Sequence, residues 1–161
     1  GSGSPTSKVN PSCPGKNLVR RQTFVHDVRS LLSDWLFAEG RDTMADVVGQ
    51  ELTKRGLILA VAETCTGGLI GHRLTQVAGS SAYLDRGAVC YSNRAKKEML
   101  GVPAELIARH GAVSKEVAAS MACGIRDRAH VSVGLSVTCI SGPGGCTAAN
   151  PGGLGYFALD E

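Results

Sequence analysis

Apolar residues recur at helical spacing through Phe24, Val28, Leu31, Leu32, Trp35 and Leu36, which predicts a helix ending near Gly40. Asp42 reads as the N-cap of a second helix, with Met44, Val47, Val48 and Leu52 on its apolar face and Gly56 as its stop. The continuous apolar run LILAVA (57–62) has the character of a short strand covered on both faces. GLIGHRLTQVAG (68–79) predicts a helix opening at a diglycine, GAVCYSN (87–93) a second strand, and RAKKEML the helix after it. Pro103 opens a short helix through Ala108. Ser114 caps a longer one with Glu116 in its first turn and Val117, Met121 and Ile125 on one face. VSVGLSVTCI (131–140) predicts a third strand, and the loop SGPGGCTAANPGG leads to a fourth, LGYFALD.

Strands separated by helices predict an α/β fold, a three-layer α/β/α arrangement around a mostly parallel central sheet. The domain reading is a disordered basic tail over 1–22, a helical extension over 23–56 and the α/β domain over 57–161. In such folds ligands sit beyond the carboxyl ends of the strands. Three polar, glycine-bearing segments fall there: ETCTGG, YSNRAK and TCISGPGG.

Composition narrows the picture. With 43% apolar residues in 161, the chain can build one globular core, and with only 4% aromatic residues that core rests on Ala, Val, Leu and Ile. The net charge of +3 sits largely before Phe24, on Lys8, Lys16, Arg20 and Arg21. No basic face is legible on the folded part, so nucleic acid is not an expected partner. No run approaches the length of a membrane span. The opening GSGS resembles a linker scar, and the acid-free stretch after it has the composition of a transit-peptide remnant or a plain tail. The expected compartment is accordingly the cytoplasm, or an organelle matrix if a transit peptide was removed. The six cysteines form no C-x-x-C and no zinc spacing, and several lie in apolar runs, so they read as reduced thiols. His26, His72, His110 and His130 show no ligand spacing, and no metal is expected. Neither nucleotide-binding glycine motif occurs, so no cofactor is expected.

Thr64 and Thr66 stand where a strand hands over to a helix, whose first N–H groups favour an anion or a developing oxyanion. A threonine cap followed by a glycine turn explains the same residues structurally. Lys96 follows the second strand and would act as a base only if burial or a cation lowered its pKa. Its neighbour Lys97 points about 100° away around the helix. Tyr91, at the strand exit, is either a proton donor or a core tyrosine with its hydroxyl at the rim. Thr138 lies at the end of the third strand, and the glycine loop after it could offer N–H groups to a phosphate.

Taken in order, AETCTGGLIGHRLTQVAGSSAYLDRGAVCYSNRAKKEMLGV, HGAVSKEVAASMACG, ISGPGG and NPGG resemble the CinA C-terminal domain over about residues 57–158. Stand-alone members of that family are nicotinamide mononucleotide deamidases. The resemblance implies an α/β/α fold and hydrolysis of the nicotinamide amide to nicotinate mononucleotide and ammonia, without a metal or cofactor. The family's serine nucleophile, in E-S-C-T-G-G, falls on Thr64, and the lysine of Y-S-N-x-A-K falls on Lys96. Tyr91 matches the tyrosine of that motif, and Thr138 the threonine of T-G-x-A-G-P. Glu63, Thr66, Gly67, Gly68, Ser92, Asn93, Gly142, Gly144 and Gly145 are the implied substrate-binding residues.

Three departures carry a second expectation. Thr64 replaces the serine, Cys139 and Ser141 replace a glycine and an alanine, and the family's final strand and helix, with a G-D-R arginine, fall outside this sequence. The alternative they raise is a catalytically degenerate domain kept as a structural or interaction subunit. Expected partners are therefore a pyridine nucleotide and either copies of itself or a larger complex.

Overall fold

In the computed structural model, which describes residues 14–34, 36–38, 40–142 and 151–161, the chain divides into two compact units, 1–40 and 41–161. In the first, helix α1 spans Pro14–Leu32. It starts within the stretch expected to be tail, since proline is accepted in a first helical turn where its missing N–H has no partner to lose. Phe24 and Leu31 on this helix are exposed. Trp35 lies outside the described residues.

The second unit opens with α2, Met44–Arg55. Its N-cap is Thr43, one residue later than expected. Thr43 has an acid three residues on, and Asp42 does not. The Thr43 hydroxyl accepts from the Asp46 N–H at 3.2 Å, and the Asp46 carboxylate accepts from the Thr43 N–H at 2.7 Å. This reciprocal pair is a capping box. Gly56 closes the helix at φ 65°, a left-handed conformation that suits glycine.

Strand β1 (Leu59–Glu63) is followed by α3 (Leu69–Thr75), a 3-10 turn at Ser80–Ala82, and β2 (Leu84–Val89). Helices α4 (Asn93–Leu100), α5 (Ala104–His110) and α6 (Lys115–Ala129) lead to β3 (Val133–Cys139) and β4 (Gly155–Asp160). The sheet order is β2–β1–β3–β4. β1 runs parallel to both β2 and β3, and β4 returns antiparallel on β3. The fold is α/β with a mostly parallel, open sheet. β2 begins at Leu84, earlier than its apolar run suggests. Its partner β1 sets the register, with Leu59 opposite Leu84, and on this edge strand Asp85 and Arg86 are exposed.

All five residues of central β1 are buried, so its side chains alternate between two cores. Leu59 and Val61 pack with Leu74, Tyr83 and Val133 on the α2–α3 face. Ala60 and Ala62 pack with Val117, Met121 and Ile125 of α6 on the other. Small residues let α6 press onto both the sheet and the end of α4. A Cβ on Gly134 would lie 2.1 Å from the Ala122 carbonyl oxygen, and one on Gly124 would lie 2.0 Å from the Leu100 carbonyl oxygen. The Ser136 hydroxyl donates to the Ala118 carbonyl at 2.6 Å, satisfying a buried group between strand and helix.

Candidate active site

Because β1, β2 and β3 run parallel, their carboxyl ends emerge on one edge, and a cavity of about 630 Å³ lies there. Its walls come from Thr64 and Cys65 after β1, from Tyr91, Asn93 and Lys96 after β2, and from Thr138 to Gly142 at the end of β3. Gly111–Val113, between α5 and α6, complete it.

Thr64 is 4% exposed and donates its hydroxyl proton to the Val137 carbonyl at 3.1 Å. Lys96 is 3% exposed although it ends in an amine, and its Nζ donates to the Tyr91 carbonyl at 3.1 Å. Burial pushes its pKa below the ordinary lysine range, with the neighbouring Cys90 thiol opposing the shift. Its neighbour Lys97 is exposed. Thr64 and Lys96 line the same cavity, each hydrogen-bonded to a main-chain carbonyl rather than to the other.

Thr138 is 1% exposed, and its hydroxyl donates to the Ala112 carbonyl at 3.0 Å, fastening the Gly111–Val113 wall to β3. The Tyr91 side chain is exposed at the cavity mouth. Ser92 is the N-cap of α4, its hydroxyl accepting from the Ala95 N–H at 3.0 Å, which places Asn93 and Lys96 on the first turn. Gly142 lines the cavity. Gly144 and Gly145 lie outside the described residues.

The turn after β1 is organised from below. Glu63 is 1% exposed, and its carboxylate accepts from the Ile70 N–H at 3.0 Å and the Gly71 N–H at 2.8 Å. The start of α3 thus holds an anion, as a helix N-terminus favours, but that anion is the chain's own side chain. Glu63 does not reach the cavity. Gly67 and Gly68 take φ of 62° and 99°, and the Gly67 N–H closes a turn on the Thr64 carbonyl at 3.1 Å. The Thr66 hydroxyl is buried without a hydrogen-bond partner and lies outside the cavity lining.

Two features were not read from the sequence. Cys65 and Cys139 are joined in a disulfide with Cα atoms 5.9 Å apart, which corrects the expectation of reduced thiols for this pair. Free cysteines among the described residues are Cys90, buried in the α6-side core, and Cys123, half-buried. A 74-residue separation leaves no sequence signal for the pairing; adjacency of β1 and β3 creates it. The Gly111–Val113 wall was also unassigned, its one local signal being a glycine just before the Ser114 cap. Among the described residues no three His, Cys, Asp or Glu side chains gather as a metal-binding group. No described helix is long and apolar enough to cross a membrane.

Fold and cavity together define an α/β domain with a cavity at the exits of three parallel strands. Within that class the chain belongs to the CinA family, the CinA C-terminal domain model matching residues 41–161. It is 55% identical over 133 residues to a CinA-like protein of Citrifermentans bemidjiense, a match covering 83% of this chain and 32% of the relative. Among solved structures, the competence/damage inducible protein CihA from Agrobacterium tumefaciens is similar at 44% identity and a TM-score of 0.71, over 77% of this chain and 75% of that one. The competence damage-inducible protein A (ComA) from Klebsiella pneumoniae is similar at 36% identity and a TM-score of 0.67, over 70% of each chain. This chain spans about a third of the length of the curated relatives it matches.

Proposed function

We propose that this domain is a hydrolase of the nicotinamide mononucleotide amide, yielding nicotinate mononucleotide and ammonia. The observation that carries the reading is a buried lysine of lowered pKa sharing one cavity with a threonine hydroxyl at a strand exit. In the reaction the Thr64 Oγ1 attacks the carboxamide carbon while neutral Lys96 takes its proton. Lys96 then returns that proton to the departing nitrogen, and ammonia leaves. Water, deprotonated by Lys96, then attacks the Thr64 ester, and nicotinate mononucleotide leaves as Lys96 returns the proton to Thr64 Oγ1. Tyr91 and Thr138 orient the reacting amide. Asn93 and the glycine loop through Gly142, Gly144 and Gly145 bind the nucleotide. The turn Thr66–Gly68, the start of α3 held by Glu63, and the Ser92 cap fix the geometry around them.

A second reading, a catalytically silent domain serving as a subunit, is favoured by the engagement of the Thr64 hydroxyl with the Val137 carbonyl instead of Lys96. Ammonia release from nicotinamide mononucleotide, with chromatographic detection of nicotinate mononucleotide, separates the two. The hydrolase reading expects turnover that Thr64→Val abolishes and Thr64→Ser retains. Absence of turnover by both the wild type and Thr64→Ser, after treatment with reductant, would overturn it.

A further inference from the structure

We propose that the Cys65–Cys139 disulfide is a redox lock on the candidate site, which holds the turn carrying Thr64 against the end of β3 until a dithiol reduces it. The part of this inference that concerns turnover rests on the hydrolase reading; the part that concerns the turn does not.

The pairing of β1 with β3 runs from Leu59 opposite Val133 to Ala62 opposite Ser136. Continued in the same register, it would set Thr64 beside Thr138 and Cys65 beside Cys139, beyond the last paired residues. Two links bridge the strands there: the disulfide and the hydrogen bond from Thr64 to the Val137 carbonyl. A carbonyl oxygen cannot take up the proton that a nucleophilic hydroxyl must lose. The Thr64 proton therefore has to turn off Val137 for reaction, and the adjacent covalent bond fixes the backbone that aims the hydroxyl. Once the sulfurs separate, one neutral hydrogen bond is what remains.

The segment freed by reduction is short and bounded. On its far side Glu63 grips the amides of Ile70 and Gly71, so α3 stays seated. Between lie Gly67 and Gly68, already at positive φ and able to absorb a change of backbone direction that other residues resist. The lock is also within reach of a reductant, since both half-cystines line the cavity. The free Cys90 is wholly buried, which leaves it out of the exchange.

The chemistry is a thiol–disulfide exchange. A thiolate of the dithiol attacks one sulfur, the Cys65–Cys139 bond breaks, and a mixed disulfide forms. The second thiol displaces the protein sulfur. The dithiol leaves as its own disulfide, having delivered two electrons and two protons to the two cysteines.

The test uses the full chain in air-oxidised form and after dithiothreitol, with Cys139→Ser and Cys65→Ala as permanently unlocked variants. Peptide mapping after alkylation is expected to label Cys65 and Cys139 only after reduction. Amide hydrogen exchange over residues 64–69 is expected to quicken about tenfold or more on reduction, and to be fast and indifferent to dithiothreitol in both variants. Ammonia release is expected to be faster from the reduced protein. Labelling of both cysteines before reduction would overturn the proposal, as would exchange unchanged by reduction or faster turnover in the oxidised form. Exchange that responds to reduction without turnover in either state would support the lock and count against the hydrolase reading.

Discussion

Reducing the Cys65–Cys139 bond should weaken the whole domain by an amount set by chain length. The bond closes a loop with a sequence separation of 74 that contains α3, β2, α4, α5, α6 and most of β3. Opening such a loop gives the unfolded chain back conformational entropy worth about 4 kcal/mol in the chain-entropy treatment. The loss is a large fraction of the roughly 5–15 kcal/mol that holds an ordinary domain together. The reduced protein should therefore remain folded at room temperature but with a visibly lower margin. Losing the Thr64–Val137 hydrogen bond as well would add about 1 kcal/mol at most. With a urea dependence of about 2 kcal/mol per molar, typical for a small domain, the unfolding midpoint should fall by roughly 2 M. Equilibrium urea titrations followed by circular dichroism, on oxidised protein and on protein in excess dithiothreitol, give this directly. Cys139→Ser should unfold near the reduced midpoint with or without reductant. A midpoint that moves by less than about 0.5 M in both comparisons would refute the reasoning, because it would mean that the bond does not restrain the unfolded chain.

Lys96→Met should cost at least about 100-fold in ammonia release, the lower end of what a positioned base contributes. The same change should stabilise the fold at neutral pH. Burial lowers the Lys96 pKa, so the folded state binds fewer protons than the unfolded state between that lowered value and about 10.4, the ordinary lysine pKa. The penalty is full below the folded pKa and fades as pH rises to the unfolded one. Thermal melts of wild type and variant should accordingly converge at alkaline pH, and a gap independent of pH would contradict this. Gly134→Ala should destabilise by about 1–3 kcal/mol or more, because its Cβ would sit 2.1 Å from the Ala122 carbonyl and push α6 off the sheet. A melt unchanged by this substitution would refute the close packing. Glu63→Gln should cost about 1–3 kcal/mol, since an amide oxygen and an NH2 cannot serve two N–H donors as a carboxylate does. Faster exchange at Ile70 and Gly71 is the expected signature, and unaltered protection there would sink the assignment.

The parts of the fold legible in the sequence were those where a local signal and the tertiary structure agree. α6 is one: Ser114 announces its start and Val117, Met121 and Ile125 its buried face, and the structure uses all four as read. β2 shows the opposite case. Its first residues, Leu84 to Arg86, lack an apolar run because an edge strand needs none, and their pairing is imposed by β1. The three strand-exit segments could be read because parallel strands force their exits onto one edge, whatever the details of each loop. Whether a side chain at such an exit faces the cavity is another matter. Glu63 and Thr64 are neighbours, yet strand alternation sends one beneath α3 and the other to the cavity wall. The disulfide lay beyond sequence reasoning for the same reason, since it depends on which strands become neighbours.

The two groups on which the chemistry depends are not equally ready. Both are bonded to main-chain carbonyls, Lys96 to that of Tyr91 and Thr64 to that of Val137. For an amine these demands are compatible. In its neutral form, which burial favours, Lys96 can donate one N–H to the Tyr91 carbonyl and still offer its lone pair to an incoming proton. A hydroxyl has a single proton, and while that proton lies on Val137 it cannot pass to Lys96. Lys96 thus keeps its lone pair free while bonded to Tyr91, whereas the Thr64 proton must first turn off Val137. The covalent bond sits next to that hydroxyl, on Cys65, and among the described residues no disulfide restrains the first turn of α4 around Lys96. A restraint that only stiffened the domain could join any two neighbouring strands. One placed a single residue from the hydroxyl restrains the very turn that presents it to the cavity.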